Sequence, residues 1–94
     1  MFIVLVTYTK EIELIDQHLV AHRAFLDACY QKNYLIASGP QNPRTGGVLI
    51  SQLTSQETLE QALQNDPFHI EKLASYQIIE FSPVKYHPNF STFI

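Results

Sequence analysis

Between Tyr8 and Ile12 the apolar side chains switch from a continuous run to recurrences of three and four, and that switch sets the architecture of the chain. Residues 2–8, FIVLVTY, are rich in β-branched and aromatic side chains and apolar on both parities. A strand covered on both faces needs that pattern. From there Ile12, Ile15, Leu19, His22, Leu26 and Cys29 fall on one stripe of a helix over about residues 11–32.

Later segments repeat the alternation. Tyr34 to Ser38 reads as a short strand ended by Gly39-Pro40, and residues 41–47 as a turn-rich connection. A third strand follows at about 47–53. Thr54 and Glu57 have capping-box spacing, with Leu59, Ala62 and Leu63 behind them as the apolar face of a second helix ending near Asn65. Asp66-Pro67 looks like an N-cap followed by proline at the first helical position, opening a short turn or helix through about Leu73. The last strand runs from Tyr76 to Phe81 and is halted by Pro83.

The resulting order, βαββαβ, is the split βαβ arrangement of a ferredoxin-like α+β domain. Right-handed crossovers place both main helices on one face of a four-stranded antiparallel sheet. The opposite face stays apolar, because Ile3 and Leu5 alternate with Phe2, Val4 and Val6, and Ile79 follows Ile78. An open apolar sheet face marks an interface, so the expectation is a homodimer packed sheet against sheet. The tail aromatics Tyr86, Phe90 and Phe93 are then placed to clasp the partner.

Composition narrows the function classes. Ninety-four residues allow one domain, residues 1–94, with one modest core. With 46% hydrophobic and 16% charged residues the chain is globular rather than disordered. Its net charge of -3 is scattered, with no basic cluster to neutralise phosphates, which disfavours nucleic acid. The apolar start Phe2–Val6 is too short to span a bilayer and has no basic flank or cleavage site, so a cytoplasmic protein without membrane contact is expected. Cys29, the sole cysteine, makes no internal disulfide. No phosphate loop, dinucleotide fingerprint or complete metal set occurs, so no cofactor and no metal are implied.

His22 is the most informative position, because its stripe is otherwise Ile15, Leu19, Leu26 and Cys29. A polar ring there needs a partner. Pointed into a cleft it is a natural general base; at the edge of the core it is a histidine satisfied by a backbone carbonyl. Asp66 likewise reads two ways, as a helix cap or as a carboxylate orienting an imidazole. His18, one turn before His22, makes only half of a metal site, with no glutamate or cysteine pair to complete it. It stands with Ser38, Gly39, Pro40 and Arg44 among the candidates for contacting a small ligand, the arginine beside glycines being suited to a carboxylate. Cys29 lies two turns from His22 and reads as core.

The N-terminal strand, the helix carrying His22, LIASGP at 35–40, GGVLI at 46–50 and Asn65-Asp66-Pro67-Phe68 together resemble the YCII-related family over roughly residues 1–83. That resemblance implies a dimeric α+β barrel of ferredoxin-like subunits, each with a cleft between helices and sheet. It also implies a histidine–aspartate pair, carried here by His22 and Asp66. One family relative dehydrochlorinates an aromatic ring. The chain departs from common members in having His69 after Asp66-Pro67-Phe68 and a short loop from Pro40 to Gly46. The reading is a small cofactor-independent enzyme of lyase or isomerase type acting on a small, anionic or cyclic substrate. The alternative is a non-catalytic dimeric module that binds a small ligand.

Overall fold

A computed structural model describes all 94 residues. Its strands are β1 (Phe2–Tyr8), β2 (Leu35–Pro40), β3 (Gly46–Ser51) and β4 (Ala74–Glu80). Its helices are α1 (Ile12–Gln17), α2 (Leu19–Gln31), α3 (Gln56–Leu63) and α4 (Pro67–Ile70), followed by a 3₁₀ turn at Pro88–Phe93. All strands pair antiparallel in the order β2-β3-β1-β4. This is the α+β, ferredoxin-like topology that the order of periods predicts.

The central place of β1 explains its unbroken apolar run. Phe2, Val4 and Val6 point under the helices and are almost completely buried, with Leu49 and Ser51 of β3 beside them in register. Ile3 and Leu5 point the other way, next to Val48 and Ile50 of β3 and Ile79 of β4. One apolar set therefore makes the core with Cys29, Leu35, Leu59 and Leu63. The other makes an open face without a charged side chain. Ile15, Phe68 and Leu73 form a smaller core cluster under α1 and α4.

Helix 11–32 is in fact two helices, broken at His18. There the backbone N–H donates to Ile15 O (3.0 Å), while the imidazole Nδ1–H donates to Leu14 O (3.1 Å), the carbonyl that an unbroken helix would pair with the His18 backbone. A side chain that takes over a ladder acceptor is a recognised cause of a helix break. The far end of α2 closes on a Schellman motif: Tyr34 N–H reaches Cys29 O (2.9 Å), Asn33 N–H reaches Tyr30 O (3.0 Å), and Asn33 takes the left-handed conformation, φ 61°.

Three other boundaries move. Gly39 and Pro40 do not end β2 but extend it, opposite Val48 and Gly47. Proline is tolerated there because β2 is an edge strand. The cap of α3 is Ser55, whose hydroxyl accepts from Thr58 N–H (3.2 Å), one residue later than the Thr54 expected from spacing. Strand β4 begins at Ala74 rather than Tyr76. Gly46 is fixed by its neighbours, since a Cβ there would overlap the Val6 carbonyl. No helix is long and apolar enough to cross a membrane.

Candidate active site

The stripe of α2 delivers His22 to the seam between helices and sheet, where it is only 8% exposed. Asp66 arrives from the other side as the N-cap of α4 and is completely buried. The two side chains meet: His22 Nδ1–H donates to Asp66 Oδ1 at 2.8 Å. A carboxylate can only accept, so the shared proton sits on Nδ1; in the neutral ring the lone pair is then on Nε2. No buried side-chain nitrogen or oxygen lacks a partner. Nε2, which has none within the chain, is therefore the open edge of the ring, facing the cavity that His22 lines.

Asp66-Pro67-Phe68 works as one device. Asp66 Oδ1 also accepts the Phe68 backbone N–H (3.0 Å), which caps the short helix. Pro67 starts that helix at a position where no donor is needed. Phe68, thus placed, stacks on the His22 imidazole with centroids 4.0 Å apart and planes within 6°. The ring is gripped through one nitrogen and one face. Only rotation against both contacts could release it.

A cavity of about 640 Å³ opens above this pair. Leu19, His22, Leu26 and Tyr30 of α2 form one wall, and Val6, Tyr8, Ser38 and Leu49 of the sheet form the other. Most of that lining is apolar or aromatic, with a few convergent polar groups, the composition usual for small-molecule sites. Ser38 Oγ and the Tyr30 hydroxyl lie 2.7 Å apart. At the rim Arg44 donates from Nη2 to Asp16 Oδ1 (2.7 Å) and lies over the Tyr8 ring at 5.8 Å. Arg23 and Asp27 also line the space.

The sequence candidates divide cleanly. His22 and Asp66 are bonded to each other, and Ser38, Gly39, Pro40 and Arg44 all line the cavity. Ser38 to Pro40 do so as strand residues rather than as a turn. His18 does not line it; its ring is turned back onto Leu14 O at the helix break. No group of three or more His, Cys, Asp or Glu comes together anywhere in the chain.

Two residues escaped the sequence reading. Tyr30 continues the helix face of His22 and Leu26 at the next step of four, so the stripe itself carried the signal. Tyr76 of β4 donates its hydroxyl to Asp66 Oδ2 at 2.7 Å. Burial, that hydrogen bond and the charge of Asp66 together push its phenol well above the ordinary tyrosine range. Cys29 is buried beneath the site, and its burial raises the thiol as well, opposed by Lys32.

The model of the YCII-related domain matches residues 1–82 of this chain. Among solved structures, 5-chloro-2-hydroxyhydroquinone dehydrochlorinase from Burkholderia phenoliruptrix AC1100, in complex with 2,5-dihydroxybenzoquinone, aligns with a TM-score of 0.71. The alignment covers 87% of this chain and 94% of that one at 19% identity, a likeness of fold. Among curated proteins none matches the chain.

Proposed function

Because the chain belongs to the YCII-related family, we propose that it is a small enzyme that moves a proton on a small cyclic substrate through His22. The observation that carries this reading is the buried 2.8 Å bond from His22 to Asp66 at the base of an otherwise accessible cavity. Asp66 holds the imidazole in the Nδ1–H tautomer and stabilises the imidazolium that forms when Nε2 takes a proton. Phe68 fixes the plane of the ring. As general base Nε2 takes the proton from carbon; in an isomerisation it returns that proton to another carbon, and in an elimination the C–H electron pair becomes the new double bond as the leaving group departs with its own pair, the proton passing on to water.

The walls suit a planar ring bearing oxygen substituents. Tyr8, Phe68 and the aliphatic side chains offer apolar faces, and the bonded Tyr30–Ser38 hydroxyl pair has one proton left to donate to a carbonyl or phenolate oxygen. Arg44 at the rim adds a cation for an anionic group. The dehydrochlorinase with the same fold acts on a substituted hydroquinone, which makes hydroxylated six-membered rings the first class to try.

We further propose that the active form is a homodimer through the open sheet face. Ile3, Leu5, Val48, Ile50 and Ile79 project there. A two-fold pairing sets this face against itself, and with no charge on it there is no repulsion to overcome. The tail beyond the matched residues carries its own aromatic cluster, Tyr86, Phe90 and Phe93, available to the partner.

The test is hydrogen–deuterium exchange at carbon in a panel of hydroxylated cyclic ketones, hydroquinones and lactones, followed by NMR with wild-type protein and His22→Ala. Removing a general base costs about two to four orders of magnitude in rate. A folded His22→Ala protein should lose exchange of that order on any compound the wild type activates. Full exchange by that variant would end the reading. Ligands that bind the cavity without any exchange favour the binding module instead.

A further inference from the structure

Asp66 has two oxygens and three donors. Oδ1 accepts from His22 Nδ1–H and Phe68 N–H, which account for the pair and for the helix cap. Oδ2 accepts from Tyr76 O–H at 2.7 Å, the shortest of the three bonds. That third donor comes from a different element and from the far side of the carboxylate. In register Tyr76 lies beside Val6, on the helix-facing side of the sheet, and its ring is flanked by His69 at 5.9 Å in a separate crevice of about 440 Å³. Capping α4 does not require it, since the cap bond goes to Oδ1.

We propose that Tyr76 is a positioning residue of the His22–Asp66 pair, its hydroxyl setting how strongly the carboxylate pulls on the imidazole. The proposal rests on the proton-transfer reading of His22. Donors to a single carboxylate compete for its charge, and this carboxylate is completely buried, where each such bond acts at low dielectric. The Tyr76 hydroxyl draws charge toward Oδ2 and so lengthens the bond that Oδ1 makes to His22. It also gives Oδ2 a partner, so that both oxygens are held and the carboxylate cannot rotate away from the ring. A base that must take a proton and give it back works best when neither state is held too tightly. Tyr76 moderates the pull in that direction.

The experiment is proton NMR of the His22 Nδ1–H resonance in the full chain, in three forms: wild type, Tyr76→Phe, and protein carrying a ring-fluorinated tyrosine at position 76. Loss of the hydroxyl concentrates charge on Oδ1, shortens the His22 bond and moves the resonance downfield. Fluorination makes the phenol a stronger donor of nearly the same shape, and moves the resonance upfield. Opposite shifts support the proposal; an unmoved resonance, or shifts of the same sign, overturns it. Should Tyr76→Phe not fold, the fluorinated form decides alone, an upfield shift supporting the proposal and anything else overturning it. A tyrosine that serves only the fold predicts no movement on fluorination. The measurement needs no substrate, so its failure leaves the exchange test of His22→Ala on its own footing.

Discussion

Tyr76 and Cys29 are both pushed up by burial, Tyr76 further by its bond to Asp66 and by the Asp66 charge. For Tyr76 the folded state binds its proton more tightly than the unfolded chain, where a phenol titrates near about pH 10. Its stabilising contribution is therefore complete below that pH. Above it the unfolded chain sheds a proton that the native protein keeps, and stability falls as pH rises. Denaturant unfolding from about pH 9 upward should show wild-type stability declining more steeply than that of Tyr76→Phe. Cys29 contributes equally to both proteins and cancels. Parallel decline in the two would mean that the Tyr76 hydroxyl is not bonded to a buried carboxylate.

At the scale of elements, two short helices begin on a capping side chain, and the caps are not equal. Ser55 caps α3 with one bond at an exposed site, so Ser55→Ala should cost about 1 kcal/mol. Asp66 caps α4 and also accepts from His22 and Tyr76. Asp66→Ala leaves three donors without their partner, and each unmade buried bond costs about 1–3 kcal/mol. Urea unfolding should therefore show Asp66→Ala losing about 3 kcal/mol or more, well beyond Ser55→Ala. Equal losses would reduce Asp66 to an ordinary cap.

What could be read from the chain follows the same division between local and distant causes. The stripe from Ile15 to Cys29 announced the helix and the inward place of His22, because spacing of three and four is a local property. The Asp66 cap was legible for the same reason. The break at His18 was not, since it depends on the ring choosing Leu14 O over solvent. Thr54 and Ser55 are equally able caps in sequence, and backbone geometry selects the second. Gly39-Pro40 has strong turn propensity, yet pairing with Gly47 and Val48 holds it in the sheet. The Tyr76–Asp66 bond joins two elements through tertiary packing, and no spacing rule reaches it.

For the whole molecule, the sheet divides a buried face that supports the site from an apolar face left open. Stable assemblies bury about 800 Å² on each partner, and the face of Ile3, Leu5, Val48, Ile50 and Ile79 is the surface available for it. Sedimentation at micromolar concentration should give twice the 10.8 kDa chain mass. Ile50→Glu, which puts a charge in the middle of that face, should give the single chain with the fold retained. A wild-type monomer under those conditions would remove the dimer from the account. The cavity opens on the other side of the sheet, so the two surfaces can be tested independently.

A buried carboxylate fixes His22 with Nε2 toward the cavity. Nitrogen-15 NMR of the imidazole in the free protein at neutral pH measures this directly, because the two ring nitrogens resonate far apart when one is protonated and the other is not. His22 should hold a single tautomer, with the proton on Nδ1 and a lone pair on Nε2, and lose that order in Asp66→Ala. A ring that averages between tautomers as in free solution, or one protonated at Nε2 alone, would contradict it.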